Sequence, residues 1–165
     1  MKTKRITLLA MLIALSMVLS YLESLLPQVY IVPGIKIGLA NIPVMFAIFK
    51  LKPSDALLIS GIRIFLLAIL FRNFLSFIFS ITGGLMSIAF MLLFKKMKTF
   101  SIMGISVIGG VAHNLGQILI AVFVVNTPGL LFYLPILIIA GTLAGIVIGL
   151  ICNLLVEHIQ LPFQE

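Results

Sequence analysis

Apolar residues run along this chain in blocks too long for the core of a small soluble domain. Six blocks, at residues 6–26, 39–51, 56–71, 74–94, 102–125 and 131–156, are separated by short polar or proline- and glycine-bearing joints. An α-helix needs about 20 mostly apolar residues to cross the hydrocarbon core, and lipid tolerates only structures whose backbone is satisfied internally. The pattern therefore predicts an all-α, polytopic membrane protein: one domain over residues 1–165, built as a bundle of six transmembrane helices. The second block is short and holds Asn41 and Pro43, so a tilted or partly re-entrant helix also fits it.

The joints carry their own signals. Residues 27–38, PQVYIVPGIKIG, form the longest irregular connection, with two prolines, two glycines and Lys36. Lys52-Pro53-Ser54-Asp55 reads as a helix start, and Asn126-Thr127-Pro128-Gly129 as a turn. The basic Met1–Arg5 stretch and the apolar block after it resemble a signal peptide. No small-x-small cleavage site follows, so a retained first helix is expected.

Composition agrees with lipid as the solvent. The 165 residues are 62% hydrophobic and 9% charged, whereas a soluble domain has about 25% charged residues. Six spans leave only short loops and no soluble catalytic domain. The net charge of +7 is distributed unevenly. Lys2, Lys4, Arg5, Lys50, Lys52, Lys95, Lys96 and Lys98 fall in alternate joints, against Lys36 and Arg72 in the others. The positive-inside rule then places both termini in the cytoplasm and makes a nucleic-acid partner unnecessary. It also supports a crossing second helix, because removing that helix would move the Lys95 cluster to the other side. The expected location is a bacterial cytoplasmic membrane. The lone Cys152 has no partner for an intrachain disulfide.

Small residues recur at helical spacing. Gly141, Gly145 and Gly149 are four apart, with Asn153 continuing the stripe, and this pattern lets helices approach closely. Internal packing is the expected use. On the first helix, Ser16, Ser20 and Ser24 form one stripe, expected inside the bundle. Ala10 and Ala14 form another, suited either to internal packing or to docking a partner helix.

Polar residues within the apolar blocks are the candidates for chemistry. Arg63 lies near the middle of its block, where a charge costs about 2.5–3.5 kcal/mol even on insertion scales. It is either a tether to carbonyls or Glu23, or a cationic contact for a ligand. His113, Asn114 and Gln117 sit in GISVIGGVAHNLGQ, residues 104–117. At about 1.5 Å per residue, His113 and Asn114 share the depth of Arg63, as do Gly83 and Gly84. His113 and Gln117 share a helix face, and Asn114 points about 100° away. The group is either one wall of a polar site or a set of helix tethers. Lys36 and Asn41, with Glu23, would stand at the outer mouth.

Several functions lack their residues. No phosphate-cradling glycine loop with a following Lys and Ser/Thr occurs. Glu23, Asp55, Glu157 and Glu165 are the four acids, and no two form a local pair. No acid joins His113 to make a metal set. The chain is therefore expected to be no enzyme by itself and to hold no metal or cofactor.

PGIKIGLANIPVMFAIF, Gly61-Ile62-Arg63, Gly83-Gly84 with Ser87, and GISVIGGVAHNLGQ together resemble the Gx transporter family, also labelled heptaprenyl diphosphate synthase component I. The resemblance covers nearly the whole chain. It implies a bundle similar to the S components of energy-coupling factor transporters. Such proteins bind a small molecule from outside, beneath a loop between the first two helices. They dock a transmembrane coupling protein with two ATPases through an Ala-xxx-Ala motif, which Ala10 and Ala14 match. Residues 27–41 would form the capping segment.

The leading expectation is thus a substrate-specific transporter subunit for a small hydrophobic or anionic ligand. Arg63, His113, Asn114 and Gln117 would line its site, with Lys36 and Asn41 at the mouth. The alternative is a membrane accessory subunit in menaquinone or isoprenoid metabolism, or in quinone- or flavin-linked electron transfer. A purely structural subunit is the third.

Overall fold

The computed structural model describes residues 2–25, 38–71 and 74–160. Six α-helices follow one another: α1 (Lys2–Leu25), α2 (Ile42–Lys50), α3 (Pro53–Phe71), α4 (Phe74–Lys96), α5 (Ile102–Val125) and α6 (Leu134–His158). Short 3-10 segments, Leu39–Asn41 and Pro128–Tyr133, lead into α2 and α6.

Local chemistry sets several of these ends. Ser101 precedes α5, and its hydroxyl accepts the Gly104 N–H at 3.1 Å, satisfying a donor the helix leaves open. Asn126 closes α5 in the left-handed conformation, at φ 52°. Proline opens α3, where its missing N–H costs nothing. The Asp55 carboxylate accepts the Lys52 N–H just before it.

The block at 102–125 coincides with α5, and the other long helices differ from their blocks by a few residues at the ends. The second block departs more. Five helices have the length and composition of a membrane span, and Leu39–Lys50 is the shorter apolar one. Its three-residue turn and nine-residue helix reach only about 20 Å, against a hydrocarbon core of about 30 Å. The expectation of six spanning helices is corrected to six helices, of which five have spanning length.

What α2 lacks in length it makes up in burial. Every residue from Ile42 to Ile48 is buried, as a helix apolar on all sides must be. The long helices pack in series: α1 on α3, α3 on α4, α4 on α5 and α5 on α6. Meanwhile α2 touches α1, α3 and α6 and fills the space they enclose. Its core neighbours include Leu12, Ile59, Ile88, Met91, Ile105 and Cys152. Large apolar side chains such as Phe65, Ile69, Phe74 and Phe123 point outward from the long helices, the distribution expected when the surrounding solvent is hydrocarbon.

Glycines bring α4, α5 and α6 together almost backbone to backbone. A Cβ on Gly145 would lie 2.5 Å from the Val107 Cα, and one on Gly141 would lie 2.8 Å from the Gly110 carbonyl oxygen. On Gly149 it would lie 2.8 Å from the Met103 Cα. A side chain at any of these positions would force the helices apart.

Contacts also gather the basic joints at one end of the bundle. Arg5 pairs with Asp55 at 2.5 Å. Lys95 donates to the Ile48 carbonyl and lies 5.2 Å above the Phe49 ring. The start of α1, the end of α2, the start of α3 and the end of α4 therefore meet. The serine stripe on α1 turns outward along its length: Ser16 is buried, Ser20 half-buried and Ser24 exposed. This corrects the expectation that all three serines pack inside. Ala10 and Ala14 are both exposed.

Candidate functional site

Arg63 is 7% exposed on α3. Its Nη2 donates to Asn41 Oδ1 at 3.2 Å, and Glu23 on α1 lies within electrostatic reach. Nε is buried and has no hydrogen-bond partner among the described residues. Asn41 ends the 3-10 turn and occupies the N-cap position of α2 without a side-chain capping bond, so the guanidinium it accepts from stands over the start of that helix. The Glu23 carboxylate accepts the Gly38 N–H. Gly38 has φ 79°, a left-handed conformation in which a side chain would be strained. About two turns of α1 away from Glu23, the buried Ser16 hydroxyl donates to the Ala40 carbonyl at 2.7 Å. The turn before α2 is thus held to α1 by Glu23 and Ser16, and to α3 by Arg63.

His113 and Gln117 lie on the face of α5 that meets α4. A Cβ on Gly83 would be 2.9 Å from Gln117 Cγ and 3.1 Å from His113 Cε1. Asn114 points the other way. It is buried, and its amide donates to the Leu137 carbonyl of α6 at 2.8 Å. The three polar residues of this stretch therefore serve two neighbouring helices.

The neighbouring glycine relates the two clusters. A Cβ on Gly84 would meet Ile64 Cδ1 at 3.3 Å and Ser60 Oγ at 3.4 Å, both on the turn of α3 that carries Arg63. Gly83 and Gly84 are consecutive, so His113 and Arg63 occupy one level of the bundle, on different sides of α4. Arg63 and Asn41 are brought together, His113 and Gln117 are brought together, and Asn114 joins α5 to α6. Lys36 lies outside the described residues, as does most of the expected capping segment.

Sequence reasoning missed three partnerships. Asp55 reads as a helix-start residue, yet it is the ion-pair partner of Arg5, fifty positions away. Lys95 reads as a topology signal, yet it caps α2. Glu23 reads as a partner for Arg63, yet its carboxylate accepts the Gly38 N–H, fifteen positions away. No spacing rule announces contacts of this range. An apolar groove of about 350 Å³ lies between α3 and α4, lined by Phe65, Ala68, Ile69, Phe74 and Phe77. None of the polar residues above lines it.

Fold and site together define a multi-span, all-α membrane protein with a polar layer built around one buried cation. The chain belongs to the heptaprenyl diphosphate synthase component I family, whose model matches residues 12–155. That span takes in the PGIKIGLAN and GVAHNLGQ segments, and the family resemblance they carry is borne out. No curated protein and no solved structure matches the chain.

Proposed function

We propose that this protein is a non-catalytic membrane subunit that binds a small molecule at Arg63 and works with partner proteins. Arg63 carries the reading. A guanidinium has five donors, and this one, deep in an apolar helix, makes a single hydrogen bond among the described residues. A charge kept at such cost inside a bundle marks a pathway or ligand site by default. Asn41 shares that site, and His113 and Gln117 form its opposite wall across α4 if the helices part there. The gathered basic residues favour a cytoplasmic location for that end, in a bacterial cytoplasmic membrane.

In this reading the subunit is energised from outside, as in transporters with a coupling protein and an ATPase pair. The exposed Ala10 and Ala14 are the proposed docking face. The family's name supports a second reading: an accessory subunit to heptaprenyl diphosphate synthesis, in which the same cation holds a ligand head group. Mass spectrometry of small molecules that co-purify with the wild type and with Arg63→Ala tests both. A transporter subunit should carry a molecule lost in the variant, and a prenyl diphosphate would favour the second reading. A wild type that carries nothing, with function intact in the variant, would leave Arg63 as a tether.

A further inference from the structure

The two ends of α2 treat positive charge differently. Lys95 reaches the Ile48 carbonyl near the carboxyl end, where the helix carries partial negative charge and a cation is favoured. Arg63 stands at the amino end, against Asn41, where the partial charge is positive and a cation is disfavoured. Burial removes the water that would screen this clash, and Nε has no hydrogen-bond partner among the described residues. The backbone donor in play here is the Gly38 N–H; the Asn41 and Ile42 N–H groups already donate to the Gly38 and Leu39 carbonyls, and Pro43 has none. Helix end, guanidinium and the Gly38 N–H all favour negative charge at one place. What occupies the Gly38 N–H is the Glu23 carboxylate, within electrostatic reach of Arg63.

We propose that Glu23 is an internal stand-in for the anionic group of the ligand. Its carboxylate holds, on the Gly38 N–H and within electrostatic reach of Arg63, the position that a phosphate or carboxylate oxyanion of the ligand takes when bound. This rests on the small-molecule reading above and names its substrate class: molecules bearing an oxyanion. Two anions at one place repel, so binding displaces Glu23. Displacement removes one of the two bonds that hold α1 to the turn before α2, leaving Ser16 on the Ala40 carbonyl, and ligand occupancy is thereby communicated to the helix that presents Ala10 and Ala14.

The test uses the full chain in phosphatidylcholine nanodiscs and inorganic diphosphate as the probe, with calorimetric titration. Glu23→Gln keeps an acceptor for the Gly38 N–H but removes the competing charge. It should bind diphosphate about tenfold more tightly than the wild type, within the range of ordinary coupling energies. Arg63→Lys keeps the charge but loses the planar fork, and should bind about tenfold more weakly. Equal or weaker binding by Glu23→Gln would overturn the stand-in role. If Glu23→Gln is not monodisperse, Glu23→Asp, which withdraws the carboxylate by one methylene, must show the same direction. If neither wild type nor Glu23→Gln binds diphosphate while a neutral molecule co-purifies through Arg63, the small-molecule reading stands and the oxyanion inference fails. If nothing co-purifies and no anion binds, both fail. Phosphatidylglycerol nanodiscs separate the sources of an oxyanion. Loss of diphosphate binding there assigns the site to a lipid head group, and retention assigns it to a soluble ligand.

Discussion

The contact between α5 and α6 and the contact between α3 and α2 are made of opposite materials. Where α5 meets α6, Gly110, Gly141, Gly145 and Gly149 remove side chains until backbones touch. Where α3 meets the start of α2, a long charged side chain spans the gap to Asn41. In lipid there is no hydrophobic drive between helices, so close van der Waals packing is what holds the first contact. That contact has one good geometry and resists change. The second depends on polar partners that can be exchanged for others, because a ligand can offer the same atoms. The difference teaches where rigidity and response divide in this bundle: α4, α5 and α6 form the packed frame, and the α1–α2–α3 side holds the exchangeable bonds.

The largest test attacks the frame. Gly145→Leu places a side chain into the Val107 backbone, and should cost about 3 kcal/mol or more, or prevent folding. Thermal unfolding in detergent checks it, and a small effect would mean that the frame is not tightly packed. Next comes Arg63→Met on the exchangeable side. A buried charge that serves as a tether should cost about 3–5 kcal/mol on removal. A charge held for a ligand should be replaced by a shape-matched apolar chain with about 1 kcal/mol of change or a gain in stability. We expect the second outcome, together with loss of any co-purified molecule.

Asn114→Ala should fall between the two regions. It removes the Asn114 bond to the Leu137 carbonyl in the α5–α6 contact and should lower stability by about 1 kcal/mol, with ligand retention unchanged. Loss of ligand without loss of stability would return Asn114 to the binding site. Arg5→Ala removes the partner of a buried carboxylate, but Arg5 is itself 41% exposed. About 1 kcal/mol, diminishing with added salt, is expected from thermal unfolding across a salt series. The smallest stability effect should come from Ala10→Leu with Ala14→Leu. Both positions are exposed, so the change should stay within about 0.5 kcal/mol. Co-purification of an ATPase pair and its coupling protein with wild type, but not with this double variant, would support docking there. A large loss of stability would show the stripe to be packing.

Most of the helices were legible because their signal is one-dimensional. Apolar runs and proline or glycine joints give the long spans without knowledge of neighbours, and α5 begins and ends where its block does. The depth match of Arg63 and His113 was legible for the same reason, since rise per residue converts sequence number to height. Which side of the bundle each residue faces is a matter of azimuth around neighbouring helices, and spacing does not specify it. That is why His113 and Arg63 share a level but lie on different sides of α4. It is also why Asn114, only one residue on from His113, is a tether to α6.

The sequence by itself determined that the chain is an all-α membrane protein, which blocks become helices, and that basic residues segregate, because hydrophobicity and charge act residue by residue against solvent. Tertiary structure alone decided the role of the second block. Its apolar composition reads like a span, but its length does not reach, and the surrounding helices bury Ile42 to Ile48 instead. It also decided the partners of Arg63, Asp55 and Lys95. Each is a bond between residues far apart in the chain, and only the packing of intervening helices brings those atoms within reach.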